Sequence, residues 1–210
     1  MAYIDPPKRI PLLMRFGIWI SERITGETML PARLLAWYPK TAISSAILES
    51  LVAHRDGNLD RRILKLVRMQ TSFSASCPFC IDMNSFKFDE FHITEEEIEA
   101  LQGKRELADV TSFSERERLA IAYARSGTAT PLAFSAELIL ALKKHFSERE
   151  IVILASTTAQ VNYWARLIQS LGIPPTGFSS DCTLLRIEEY ATFVDGSKEA
   201  FSYEPKNSHR

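Results

Sequence analysis

Along most of this chain, apolar residues recur every three or four positions, which is the spacing of amphipathic helices. No stretch alternates apolar and polar residues for long enough to predict a strand. Most glycines and prolines fall between the periodic runs, where they predict turns. The pattern therefore predicts an all-α protein.

The helical runs follow one another in a regular order. We expect Pro39 to end the second run, because proline opposes continuation of a helix. The pair Thr130–Pro131 is expected to open a later helix that runs to about Phe146. The predicted helices cover residues 10–24, 32–37, 42–54, 61–73, the runs after Thr94 and Ser114, 131–146 and 151–171, with a possible last helix at 183–187.

Three helix starts carry a capping-box pattern, a serine or threonine followed three residues later by glutamate. They are Thr94 with Glu97, Ser114 with Glu117, and Ser147 with Glu150. In such a box each side chain bonds the backbone N–H of the other residue, so two unpaired groups of the first turn are satisfied. These boxes make the helical prediction firm.

Composition and charge narrow the class of protein. The 210 residues are enough for one compact domain with appendages, and 46% apolar with 24% charged residues is typical of a globular chain. The net charge of -1 gives no support for a nucleic-acid partner.

The apolar run 10–20 follows Lys8 and Arg9, as in a secretory signal. Arg15 interrupts it, no small-residue cleavage site follows, and it is too short to span a bilayer. We therefore expect a packing or interface segment in a cytoplasmic protein without a membrane partner.

The candidate chemistry lies in the CxxC pair, Cys77 and Cys80. On a helix these two residues share a stripe with Asn84 and Lys87. Pro78 suits a first helical turn, where the unpaired N–H groups and the dipole favour thiolate over thiol. The pair is predicted to be redox-capable, and the spacing leaves open which sulfur attacks.

The order of a helix, the CxxC pair, a polar residue one turn later and a capped late helix with Asn162 and Arg166 resembles the carboxymuconolactone decarboxylase superfamily, alkylhydroperoxidase D-like branch. The resemblance covers roughly residues 48–174. It implies a compact multi-helix bundle that assembles into homo-oligomers, as trimers or larger rings. We predict an N-terminal helical extension at 1–47, the core at 48–175 and a C-terminal tail at 176–210.

The resemblance also implies a thiol peroxidase with a dithiol–disulfide cycle and no metal or organic cofactor. One cysteine reduces a hydroperoxide or disulfide substrate, the second closes a disulfide, and a dithiol electron donor reopens it. Carried over by position, Cys80 attacks and Cys77 resolves.

Two positions depart from the family pattern. Asn84 stands where the family has a histidine, and Lys65 where it has a glutamate. Asparagine cannot relay a proton near neutral pH, whereas a nearby ammonium favours thiolate by charge. The predicted catalytic set is Cys80, Cys77, Asn84 and Lys65.

Other interpretations of the cysteines remain open. Cys77 and Cys80 can be inert core residues of a non-redox oligomeric binding or scaffold protein, or can bind zinc with His92. Cys182, in the tail, is expected to be an incidental thiol. A cofactor-free decarboxylase or lactone enzyme is a further alternative. The redox hypothesis requires two sulfurs that solvent can reach and that can bond to each other.

Overall fold

A computed structural model describes residues 2–50 and 59–178, and these ranges contain nine α-helices. The prediction of an all-α chain is confirmed. The helices are α1 (Leu12–Thr25), α2 (Leu30–Leu34), α3 (Pro39–Ser50), α4 (Arg61–Ser74), α5 (Pro78–Ser85), α6 (Glu95–Leu101), α7 (Glu115–Thr128), α8 (Ala136–His145) and α9 (Glu148–Ser170).

Helix α4 lies at the centre of the bundle and packs against α5, α6, α7 and α9. Asp60 caps its start by accepting a hydrogen bond from the backbone N–H of Ile63 at 2.9 Å. Leu66, Val67 and Met69 are fully buried and point to different sides of the helix, as expected for a helix enclosed by others. This position makes α4 the platform on which the CxxC segment is built.

All three predicted capping boxes are present, each with both of its reciprocal hydrogen bonds. Their glutamates, Glu97, Glu117 and Glu150, are buried. Each is paired with an arginine, because a buried carboxylate without a partner is costly.

Arg62 of α4 joins two of these boxes. Its guanidinium donates to Glu97 and to Glu117, both at 2.6 Å, and also to the backbone carbonyls of Phe91 and His92. The starts of α6 and α7 are thereby fixed to the central helix.

Two predicted helix boundaries are wrong. Pro39 begins α3 instead of ending the helix before it, because a first-turn N–H needs no partner inside the helix. Helix α8 begins at Ala136, where the Ser135 side chain accepts the N–H of Leu138. The segment before it packs back on α7, with the ring of Phe134 tilted by 35° against that of Tyr123 and 5.1 Å between the ring centroids. The end of the predicted helix 42–54, the predicted helix 183–187 and Cys182 lie outside the described residues.

Helices α1, α2 and α3 with their connections form what we call the N-terminal layer. Within α1 only Ile18 is buried, while Met14 and Glu22 on the same side are half-buried. Glu22 holds the layer together, since its carboxylate accepts from the Arg33 guanidinium at 2.7 and 2.9 Å and from the backbone N–H of Met29 at 3.1 Å. Among the helices of the described ranges, none has the length and apolar character needed to cross a membrane.

Candidate redox site

The CxxC segment follows a tight turn at the end of α4. Ser76 has a φ of 48°, in the left-handed region that non-glycine residues rarely adopt. Cys77 is the N-cap residue of α5, and its sulfur accepts the backbone N–H of Cys80 at 3.3 Å. Pro78 occupies the first helical position, as predicted.

The two cysteine sulfurs are joined in a disulfide, with a Cα–Cα distance of 5.2 Å. Capping accounts for this proximity, because it turns the Cys77 side chain back over the first turn, toward the position three residues later. The requirement that the two sulfurs can bond to each other is met.

Both cysteines are buried, Cys77 at 0% and Cys80 at 3% exposure. They belong to an apolar cluster whose members come from α2, α5, α9 and the segment after α9. The expectation that solvent reaches the sulfurs is therefore not met in the disulfide form of this chain. The cluster consists of Met29, Leu34, Ala75, Cys77, Phe79, Cys80, Ala165, Ile168, Ile173 and Phe178.

Residues 173–178, which we call the strap, form the part of this cover that follows α9. Phe178 packs edge-to-face on Phe79 inside the CxxC motif, with ring centroids 6.0 Å apart. Asp82 of α5 holds the strap, because its Oδ2 accepts the backbone N–H groups of Thr176, Gly177 and Phe178 at 3.0, 2.8 and 3.2 Å. Asp82 is 3% exposed, and these three bonds give its buried oxygen the partners it needs.

Asn84 lies one turn after Cys80 on α5. Its amide nitrogen donates to the Ser72 hydroxyl at 3.0 Å, and that hydroxyl donates to the Arg68 carbonyl at 2.8 Å. The contact joins α5 to α4 at the position where the family pattern has a histidine.

Lys65 lies at the opposite end of α5 from the cysteines. Its ammonium donates to the carbonyl of Phe86, the C-cap residue, at 2.7 Å, and it stands 5.1 Å from the centroid of the Phe91 ring. Burial, reinforced by the charge of Arg68, lowers the pKa of Lys65 to about 8. The cation thus stabilises the negative end of the helix dipole, and its role in supporting a thiolate stays a prediction.

The predicted stripe from Cys77 to Lys87 is shorter than expected. Helix α5 ends at Ser85, and Lys87 has a φ of 54°, so it leaves the helical face. Its ammonium pairs with Glu90 at 2.8 Å, at the exposed surface. Lys87 is therefore not positioned by α5 beside the sulfurs.

The zinc alternative finds no set of ligands in the described part of the chain. Within residues 2–50 and 59–178, no three histidine, cysteine, aspartate or glutamate side chains converge as metal ligands. His92 instead follows a short helical turn, and its backbone carbonyl accepts from Arg62 at 2.6 Å.

The sequence did not predict which residues would bury the disulfide. Asp82 binds backbone groups that lie 94 to 96 residues further along the chain. Met29 and Leu34 reach the cluster from the N-terminal layer. No local spacing signals such distant contacts, because hydrophobic periodicity describes one helix face and not its neighbour.

Comparison with solved structures identifies the architecture. The chain covers 92% of the alkylhydroperoxidase AhpD core protein, a peroxidase-related protein of Ralstonia eutropha JMP134, with a TM-score of 0.70 and 16% identity over 83% of its own length. The chain has the alkylhydroperoxidase D-like fold. The debrominase Bmp8 shares this fold at a TM-score of 0.71 and 16% identity, over 84% of this chain and 93% of Bmp8.

Sequence comparison adds a likeness at a higher identity, although below the level that would assign a family. The Escherichia coli K12 protein YnjA is 26% identical over 174 residues, 83% of this chain and 94% of YnjA. No family model matches the chain. The alkylhydroperoxidase D-like fold therefore rests on structure, and the activity has to be argued from the site.

Proposed function

We propose that this protein is a thiol oxidoreductase whose Cys77–Cys80 pair cycles between dithiol and disulfide while it reduces a hydroperoxide or another two-electron acceptor. The observation that carries the proposal is the disulfide at the N-terminus of α5 in an alkylhydroperoxidase D-like fold. The relatives of known fold point to an enzyme of a peroxidase-related group.

The cycle balances with the groups of this chain and one external donor. The Cys80 thiolate attacks the distal oxygen of a hydroperoxide and the O–O bond breaks, so that Cys80 becomes a sulfenic acid. The leaving alkoxide takes a proton from water and departs as an alcohol. The Cys77 thiol displaces water and closes the disulfide. A dithiol donor then reduces the disulfide by exchange and becomes oxidised itself.

The apolar cluster bears on the substrate class. Phe79, Phe178 and Met29 surround the sulfurs with hydrocarbon, which favours an organic acceptor over a strongly hydrated one. A cysteine-to-alanine variant of the debrominase Bmp8 has been solved in complex with 2,3,4-tribromopyrrole. A brominated pyrrole is a second acceptor to test, since reductive debromination also takes two electrons and releases bromide.

Thiol counting tests the proposal directly. The reduced protein is treated with one equivalent of cumene hydroperoxide, and free thiols are counted by mass spectrometry after alkylation. We expect two thiols to be lost at Cys77 and Cys80, restored by a dithiol, and no disulfide in Cys80→Ser. If the pair stays reduced while Cys182 alone reacts, the peroxidase proposal is wrong.

Asn84→His tests whether the missing family histidine is what limits the rate. General acid–base assistance is worth about 10²–10⁴-fold in rate, so we expect a gain of at least about tenfold in peroxide consumption. Asn84→Gln is the matched control, because it keeps an amide and adds no titratable group. Equal rates in the two variants would show that proton transfer is not limiting.

Burial of both cysteines favours a second candidate, the non-redox oligomeric binding or scaffold protein. In that case Cys80→Ala changes the free energy of unfolding but leaves ligand binding intact. The two candidates are separated by the same thiol count, because only the redox protein converts a hydroperoxide into a Cys77–Cys80 disulfide.

A further inference from the structure

Helix α1 is apolar on two opposite sides. Ile18 faces its own subunit, whereas the side that looks away from the subunit carries a larger set of apolar residues. Two of them, Phe16 and Trp19, stack at 6.0 Å between ring centroids. This outward face consists of Leu12, Leu13, Phe16, Trp19, Ile20 and Ile24, which are between 38% and 80% exposed.

A helix that is apolar on both sides is normally buried on both sides. Alone, a 14-residue helix held by one buried residue is marginal in water. Its outward face lacks a covering element within residues 2–50 and 59–178, since all six side chains are exposed there.

The exposed area decides what kind of partner this face fits. At roughly 150–250 Å² for a fully exposed large side chain, the six outward side chains of α1 expose about 700 Å². This exceeds the roughly 300–600 Å² of the largest apolar patch on a typical monomer. It is close to the share of about 800 Å² that each partner gives to a stable interface.

We propose that the outward face of α1 is an interface with a second copy of this chain. A two-fold contact between identical patches needs only one self-complementary apolar surface, which α1 supplies. Arg15 and Arg23, both exposed, lie at the edge and at the end of the face, and arginine is enriched at such interfaces. A membrane surface is the alternative occupant, but two arginines on α1 are fewer than the roughly four to eight basic residues of a segment that binds anionic lipid.

Sedimentation velocity of the full chain over a range of concentrations tests this interface. We expect wild type to associate, and Trp19→Glu to raise the dissociation constant at least about 30-fold, as for a buried aromatic anchor. Ile24→Glu tests the other end of the face. The matched control is Leu140→Glu on α8, a residue 69% exposed outside the layer, which should associate as wild type does.

Two results would overturn the interface. One is a wild-type protein that stays monomeric at all concentrations. Binding of that monomer to phosphatidylserine vesicles through Trp19 would show that the face docks on a membrane instead. The other is association in Trp19→Glu and Ile24→Glu that equals wild type. Circular dichroism confirms that each variant keeps its helical content.

A second and independent observation concerns Asp82. Three backbone N–H groups of the strap converge on one oxygen of this buried carboxylate, two residues after Cys80. Hydrogen bonds to an ionised acceptor are stronger than those to a neutral one. The strap also supplies Ile173 and Phe178 to the cluster that buries the sulfurs.

We also propose that Asp82 is the latch of the strap and controls access to the disulfide, an inference that rests on the proposed function. Opening the strap exposes the sulfurs to the dithiol donor, and closing it protects the disulfide from other thiols. Asp82 is thus a positioning residue that sets how often the site opens. It takes no part in the bond changes at sulfur.

The rate at which tris(2-carboxyethyl)phosphine reduces the native disulfide measures this opening, as the phosphine becomes its oxide and two thiols form. We expect Asp82→Asn to raise the initial rate at least about tenfold, because an amide oxygen is a weaker acceptor for three donors. Asp60→Asn makes the same chemical change at the N-cap of α4, where asparagine caps equally well, and should react at the wild-type rate.

Phe178→Leu gives a second measure if Asp82→Asn does not fold, and it should also raise the rate. The latch is wrong if both strap variants are reduced at the wild-type rate, or if Asp60→Asn accelerates as much as they do. The reduction rates of wild type and the variants can be compared even in a protein that never consumes hydroperoxide. The latch and the proposed function are therefore tested separately.

Discussion

The helices α4 to α9 and the N-terminal layer use similar amphipathic sequences in different ways. In the first group the apolar faces meet each other, as around α4, whereas α1 turns most of its apolar side chains to water. A helix pattern thus fixes which face needs a partner, but not whether that partner lies in the same subunit. The disulfide lies where the two regions meet, because Met29 and Leu34 of the layer reach the cysteines.

The loss of stability on shortening a leucine to alanine should differ more between the two regions than the effect of any other change considered. Leu66 is fully buried in α4, so Leu66→Ala should lower the free energy of unfolding by about 3 kcal/mol through lost burial and a cavity. Leu13→Ala in α1, where the leucine is 80% exposed, should cost under about 0.5 kcal/mol at concentrations where the chain is monomeric. Urea unfolding measures both, and equal losses would contradict the comparison.

The second-largest difference is expected between the arginine–glutamate ion pairs of the two regions. Arg62→Met leaves Glu97 and Glu117 buried without their cation, and should cost about 2–3 kcal/mol. Arg33→Met breaks a pair in the N-terminal layer whose arginine is 41% exposed, and should cost under about 1 kcal/mol. Chemical unfolding at pH 7 compares them, and a larger loss in Arg33→Met would contradict this ranking.

The ion pair between Arg62 and Glu117 predicts that the protein loses stability at acid pH. Hydrogen bonds from Ser114 and from Arg62 hold the pKa of Glu117 below its ordinary value despite the opposing effect of burial. A lowered carboxyl pKa contributes stability above the unfolded-state value near 4.5, which is lost as pH falls through the folded value. Arg62→Met should lose less stability than wild type over this acid range, as unfolding curves at pH 5 and pH 3 will show.

Near neutral pH, the cost of burying the charged Lys65 ammonium should outweigh its favourable contact with the C-terminus of α5. Its pKa of about 8 in the folded chain lies below the ordinary 10.5, so the unfolded chain binds the proton more tightly and stability rises from about pH 8 toward pH 10.5. Lys65→Met should therefore stabilise by about 1–2 kcal/mol at pH 7, after allowance for partial solvation. That advantage should shrink at pH 10, and a pH-independent gain would point to packing instead of charge.

The smallest effect is expected at Ser76, in the turn before the disulfide. Its φ of 48° costs a non-glycine residue about 1 kcal/mol, so Ser76→Gly should stabilise by about 0.5–1 kcal/mol. Gly26, with a φ of 77°, ends α1 in the same conformation, and Gly26→Ala should be destabilising by a similar amount. Thermal unfolding at low protein concentration measures both changes.

Local chemistry made much of this fold predictable. The capping boxes at Thr94, Ser114 and Ser147 could be predicted because each of their hydrogen bonds joins residues only three positions apart. The starts of α3 and α8 were not, because Pro39 suits either a stop or a first turn, and contacts with α7 keep Phe134 out of a helix. At the site, the placement of Cys77 and Pro78 at a helix start was predictable, whereas the Asp82 contacts depend on a segment more than ninety residues away.

By itself the sequence determined most of the helices, the three capping boxes and the CxxC pair at the start of α5, because each depends on groups within one or two turns of the chain. Only the tertiary structure decided that the sulfurs are covered, that Lys65 lies at the far end of α5 and that the outward face of α1 has no neighbour among the described residues. Those features arise from contacts between distant segments, where many arrangements satisfy the same local pattern and only the packing of the whole bundle selects one.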